Sequence, residues 1–291
     1  MMELRACSPM TTLEILNSPF VRNALIAALI ACPLLGVAGT YVVMKRISYI
    51  AGAVAHSALG GIGACLYARE VLGWAWADPM IGAIAVAILS ALVIGLVTLG
   101  GGEREDTVIG AIWAVGMAAG ILFIKEIPGQ VQLNSWLFGN LSVVTPRDVT
   151  LVGTATALTG LICFLFHRQF AAVCFDDEFV RVRGVSVTFF YLLLLCLVAV
   201  TVVLLVRVVG VILVIALLTL PAAAAATWAR SLPMVMGAAT LLCVIAVVGG
   251  FLISVQANLV TGPVIILLVA VLYLAAVALR KGKPATRSAD G

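Results

Sequence analysis

Residues 187–206 read VTFFYLLLLCLVAVTVVLLV, a run without a single charged side chain. An α-helix rises about 1.5 Å per residue, so about 20 such residues cross the roughly 30 Å hydrocarbon layer of a bilayer. The run therefore predicts a membrane-spanning helix. A cluster of acidic and basic residues precedes it and Arg207 follows it. Charged side chains are costly in hydrocarbon and tend to mark the ends of such helices.

The rest of the chain has the same character. Of its 291 residues, 64% are hydrophobic and only 10% are charged, a composition that excludes an ordinary soluble domain. Runs long enough to span a membrane lie between charged or Pro/Gly-rich breaks: Ala24–Met44, Tyr49–Ala68, Pro79–Leu99, Thr107–Ile124, Val149–Phe166, Val187–Val206, Val211–Trp228, Met234–Ser254 and Pro263–Leu279. The break at residues 207–210 is the weakest and could belong to a broken helix. The sequence predicts an all-α, polytopic membrane bundle of eight or nine helices.

Lysine and arginine indicate its orientation. If the loop at Lys45 and Arg46 is cytoplasmic, nine alternating spans place eleven of the 17 basic side chains on that side. No connecting loop exceeds about two dozen residues, which leaves no room for a separate soluble domain. We therefore expect an extracytoplasmic lead at 1–20, a single transmembrane domain at 21–280 and a basic cytoplasmic tail at 281–291.

The charged cluster before the first quoted run reads FDDEFVRVRG at residues 175–184. Its acidic residues fall in the first turn of a potential short helix and its basic residues in the last, where each complements the helix dipole. Gly184 follows as a C-terminal stop. A solvated loop explains the charges equally well. With the orientation above, this charged segment near 174–184 faces the cytoplasm.

A histidine also lies inside the second run. His56 is about seven residues into an apolar helix, and ionisable groups at that depth usually face the bundle interior or an aqueous path. Neutral imidazole is a common ligand of transition metals. Small residues surround it and would let other helices approach closely or leave space for an ion: Gly52, Ser57, Gly60, Gly61 and Gly63. A histidine that serves only packing is the alternative.

Several function classes lack their motifs. The chain has no GxxxxGK[ST] phosphate loop, no HExxH and no GxSxG, and its two histidines, His56 and His167, are isolated in sequence. An ion-gradient-driven transporter would need charged groups at mid-membrane, where only His56 stands. An intramembrane enzyme would need a catalytic partner for His56. A structural membrane component leaves both His56 and the charged cluster unexplained.

Four stretches together resemble one family, the zinc/manganese/iron permease subunits of bacterial ATP-binding-cassette importers. They are GTYVVMKRISY at 39–49 with AHS at 55–57, DEFVRVRGV at 177–185, VGVILVIALLTLPAA at 209–223 and NLVTGP at 258–263. The resemblance covers nearly the whole chain.

The resemblance implies a permease of the bacterial inner membrane that is not itself an enzyme and binds no cofactor permanently. Its partners would be a second permease copy, in a homo- or heterodimer, cytoplasmic ABC ATPase subunits that alone bind ATP, and an extracytoplasmic metal-binding protein, but no nucleic acid. The ATPase contact would be made by Asp176, Asp177, Glu178, Phe179, Arg181 and Gly184. His56 would be a transient metal ligand or gate in the pathway.

The chain departs from the family pattern at two places. Many members carry an aspartate one helical turn before the histidine, where this chain has Gly52. The late loop often has aspartate and proline where this chain has Asn258 and Val260. Fewer carboxylates make a site less suited to oxygen-preferring manganese. We therefore expect zinc as the transported divalent ion ahead of manganese or iron, with a gradient-driven transporter of metal ions or another small solute as the alternative function.

Overall fold

The computed structural model describes residues 19–101, 105–127, 144–175, 184–257 and 259–281. Within these ranges it contains ten α-helices and no strand. The helices are α1 (Pro19–Met44), α2 (Ser48–Glu70), α3 (Pro79–Leu99), α4 (Glu105–Lys125), α5 (Pro146–Leu165), α6 (His167–Phe175), α7 (Val187–Val209), α8 (Val211–Ala226), α9 (Leu232–Ala257) and α10 (Thr261–Lys281).

In the described part of the chain, eight helices are long and apolar enough to cross a membrane, and α8 is a shorter apolar helix. This confirms the all-helical, polytopic fold. Most helices extend a few residues past the runs predicted from sequence. The reason is that charged end residues such as Glu70 and Lys125 interrupt an apolar run without ending the helix that carries it.

The weak break after Arg207 is a corner between two helices. Gly210 has φ 88° and ψ 155°, a conformation open essentially to glycine alone, and it separates α7 from α8. Val208, Val209 and Val211 on either side are buried. The corner therefore lies inside the protein and is not an exposed connection.

Helix α8 runs in the same direction as α1. Its Leu218 carbonyl lies against Gly39, and four residues further along Ala222 belongs to a small core that also contacts Val43 and Met44. Both helices therefore end at the same face of the bundle, where the α1–α2 turn also lies.

Helix α2 is the inner element of the bundle. It packs between α3 and α4, and Gly61 approaches the Gly82 carbonyl of α3 so closely that a Cβ at either position would collide with backbone. Gly60 and Gly63 make equivalent approaches to Gly116 and Gly120 of α4. The predicted close packing of this glycine-rich helix is confirmed.

Candidate functional site

His56 occupies the centre of α2. Every residue from Ile50 to Gly63 is buried except His56, which is half-buried. Its imidazole stacks on the indole of Trp113 from α4, with ring centroids 4.6 Å apart and planes 13° from parallel. The histidine is thus the one point on the inner stretch of α2 that reaches accessible space.

The His56 ring has a nitrogen without a hydrogen-bond partner in the described ranges. Nδ1 is buried, and no residue in the described ranges donates a hydrogen bond to it or accepts one from it. In a neutral imidazole one ring nitrogen carries the proton and the other has a lone pair that a transition metal can bind. Around it, the described part of the chain holds no cluster of three or more His, Cys, Asp and Glu side chains.

Trp113 also covers the position one turn before the histidine. A Cβ built on Gly52 would lie 3.4 Å from Cζ3 of the indole, an ordinary van der Waals contact. The indole therefore fills the space beside His56 into which a longer side chain at residue 52 would extend. The same indole thus contacts both Gly52, where many family members carry an aspartate, and His56.

A cleft of about 390 Å³ opens beside Trp113. It is lined by Tyr49 and by Asp106, Ile109, Gly110 and Trp113. Tyr49 precedes His56 by seven residues and Asp106 precedes Trp113 by seven, so each pair shares a helix face two turns apart. The cleft leads from Trp113, the stacking partner of His56, to the end of the bundle where α2 and α4 begin, and it is lined by a phenol and a carboxylate.

The neighbouring Ser57 fixes α2 on its other side. Its hydroxyl is 2.9 Å from that of Ser90 on α3 and 3.0 Å from the Val54 carbonyl, and both serines are buried. Hydrogen bonds of this kind between membrane helices hold their relative rotation. Because Ser57 follows His56 directly, this contact sets the direction in which the imidazole points.

Most residues of the predicted ATPase contact lie outside the described ranges. Asp176, Asp177, Glu178, Phe179 and Arg181 lie outside the described residues, as do Asn258 and the tail from residue 282. Gly184 is described and has φ 73°, the left-handed conformation of a glycine that ends a helix. The coupling role of these residues stays a prediction.

Sequence reasoning missed α6 and Trp113. Only one residue, Phe166, separates α6 from α5, so the polar start of α6 at His167 looked like the end of a span. Its buried residues Phe170, Val173 and Cys174 have the i, i+3, i+4 spacing that could have revealed an amphipathic turn. Trp113 carries no such signal, because its contact with His56 joins two helices far apart in sequence.

The chain is similar over most of its length to known membrane proteins. The model of the ABC 3 transport family matches residues 17–280. A probable metal transport system membrane protein of Chlamydia pneumoniae is 40% identical over 257 residues, which are 88% of this chain and 87% of that protein. The manganese transport system membrane protein MntC of Halalkalibacterium halodurans is 28% identical over 261 residues, 89% of this chain and 87% of its own length.

A solved structure agrees with the fold. A chain of PsaBC from Streptococcus pneumoniae, solved in complex with a Fab, superposes with a TM-score of 0.79 at 28% identity. The match covers 91% of this chain and 93% of that one. The helical arrangement described above is therefore shared with an experimentally determined structure.

Proposed function

The chain belongs to the ABC 3 transport family, and from this premise we propose that it forms the translocation path of an importer for a divalent transition metal. It is a multi-pass membrane protein of a metal permease family. The observation that carries the proposal is His56, a half-buried histidine on the innermost helix whose Nδ1 has no hydrogen-bond partner in the described ranges and whose ring stacks on Trp113, a lining residue of a polar cleft. In this role His56 is a transient ligand or gate.

A single imidazole ligand suits an ion that passes through better than an ion that stays bound. An ion must leave its site as readily as it enters, and a single nitrogen ligand holds it weakly. Trp113, which stacks on His56, lines the cleft, and the cleft extends from it over two helical turns, about 10 Å, to Asp106. We infer that this carboxylate receives the ion near the predicted cytoplasmic side.

The energy for import is proposed to come from partner chains. The sequence has no phosphate loop, and the acidic and basic residues at 176–183 suit charge-assisted contacts with a cytoplasmic ATPase. A second permease copy and an extracytoplasmic metal-binding protein complete the proposed assembly. The permease itself performs no hydrolysis.

We propose zinc as the preferred ion. Gly52 offers no carboxylate to His56, and the Trp113 indole fills the adjacent space. Nitrogen ligands suit zinc, whereas manganese prefers oxygen. The relative named for manganese makes manganese the competing substrate. Uptake of manganese far above that of zinc at equal free concentrations would contradict the preference.

The test is ATP-dependent uptake of labelled zinc and manganese into proteoliposomes that contain the chain and its candidate ATPase. We expect His56→Ala to abolish uptake while the ATPase still copurifies, and Glu178→Arg to abolish both uptake and copurification. Leu59→Val, a buried apolar change three residues beyond His56 on the same helix, is the matched control and should retain uptake.

One result would overturn the importer. If the wild-type chain takes up metal without ATP or without the ATPase, a gradient-driven transporter becomes the better account. If His56→Ala transports like wild type, the pathway does not use this histidine.

A further inference from the structure

Lys45 lies where four helices meet. We propose that Lys45 is a positioning residue that ties the end of α6 and the start of α7 to α2, so that movement of these ends shifts the helix that carries His56. The inference rests on the proposed function, because only an importer driven by a partner ATPase needs such a connection.

The first contact is with α6. The Lys45 ammonium donates a hydrogen bond of 2.8 Å to the backbone carbonyl of Val173. Val173 is in the last turn of α6, where carbonyls lack a partner within the helix and the dipole favours a positive charge. A side chain from the α1–α2 turn therefore caps the C-terminus of α6.

The second contact is with α7. The same ammonium lies 5.7 Å from the centre of the Tyr191 ring, in the first turns of α7. A cation over an aromatic ring is attracted by its electron-rich face. One charged group thus joins the two helix ends that flank residues 176–183, the stretch with the predicted ATPase contact.

The third connection is covalent. Lys45 stands in a tight turn in which the Lys45 amide donates to the Tyr41 carbonyl and the Ile47 amide to the Val42 carbonyl, both at 2.9 Å. Helix α2 starts at Ser48, directly after buried Ile47. The turn is short and hydrogen-bonded, and no flexible linker separates Lys45 from α2. A displacement of Lys45 therefore moves the start of α2.

Other contacts keep α6 in place when Lys45 is changed. The Tyr41 hydroxyl is 2.8 Å from His167 Nδ1, and the Tyr41 ring packs edge-on against Phe170 with centroids 5.6 Å apart. Phe170 and Val173 are fully buried. The loss of one ammonium group therefore removes the link between helix ends without removing the packing of α6 on α1.

The test measures metal taken up per ATP hydrolysed by the reconstituted transporter. Lys45→Met keeps the apolar stem and removes the cation and its donors. We expect uptake per ATP to fall by about tenfold or more, the scale of losing one hydrogen bond to a charged group, while ATPase copurification stays unchanged. Lys45→Arg, which can still donate to a carbonyl, should restore most of the ratio.

Arg230→Met is the matched control, because it removes a basic side chain from the exposed α8–α9 turn on the same predicted side, and it should leave the ratio unchanged. The proposal is overturned if Lys45→Met keeps the wild-type ratio, if it lowers uptake and ATP hydrolysis equally with loss of the complex, or if Lys45→Arg rescues nothing. Absence of ATP-dependent uptake by the wild type would instead refute the proposed function.

Discussion

His56 and Trp113 form a unit at the residue scale. The indole covers one face of the imidazole and leaves the buried Nδ1 without a hydrogen-bond partner in the described ranges. The orientation of the proposed ligand therefore depends on a side chain from another helix. Substitution of that side chain should act on binding through the position of the imidazole.

Replacing the indole tests this dependence. Aromatic stacking contributes about 0.5–1.5 kcal/mol, so Trp113→Leu should weaken the apparent affinity for zinc by about two- to tenfold. Trp113→Phe keeps an aromatic face and should lose less. The concentration dependence of zinc uptake measures both, and equal affinity in the leucine variant and the wild type would show that the stacking does not orient His56.

The corner at Gly210 is a second residue-scale feature. Its φ of 88° with ψ of 155° is strained for any residue with a Cβ, so Gly210→Ala should destabilise the protein by about 1–3 kcal/mol. The measurement is thermal unfolding in detergent. Gly153→Ala is the control, since a Cβ on that helical glycine meets nothing within 4 Å, and it should leave the unfolding temperature unchanged or raise it.

At the element scale, the rigidity of α2 depends on backbone contact with its neighbours. Gly61→Ala would place a Cβ against the Gly82 carbonyl of α3, which cannot move without moving the helix. Overpacking of this kind costs about 1–3 kcal/mol. We expect a lower unfolding temperature and reduced zinc uptake, because the displaced helix carries His56. Gly237→Ala on α9, with open space around the added Cβ, should change neither.

Sequence patterns predicted the individual helices better than the contacts between them. Apolar runs were sufficient for the long helices, because a bilayer imposes one length on every span. Helix α6 was missed because its nine residues mix polar and apolar side chains and follow α5 almost without a break. His56 was found from its depth in an apolar run, whereas Trp113 was not, because only tertiary packing brings the two rings together.

At the scale of the whole molecule, the direction of α8 decides how the two ends of the chain are arranged. The start of α7 lies near Lys45 and the end of α8 lies near Val43 and Met44, so α7 and α8 run in opposite directions. With α8 counted as a crossing beside the eight long helices of the described ranges, we predict nine crossings and the two ends of the chain on opposite sides of the membrane. The positive-inside bias predicts that the end of α10 lies in the cytoplasm.

A fluorescent fusion tests this topology. Green fluorescent protein attached after residue 291 should fluoresce, since it folds in the cytoplasm, and a tag before residue 1 should be accessible from outside intact spheroplasts. An N-terminal tag that is protected together with a fluorescent C-terminus would instead indicate an even number of crossings. A C-terminal fusion without fluorescence would contradict the predicted orientation.

The buried corner between α7 and α8 also constrains how the chain enters the bilayer during synthesis. Helix α8 has only 16 residues, fewer than the roughly 20 that insert independently, and it packs on α9 and α10, which leave the ribosome after it. Until α9 and α10 have been synthesised, the α7–α8 hairpin therefore lies in the membrane with part of its packing surface uncovered. A chain that stops before α10 would keep that surface open and should be a substrate for membrane proteases.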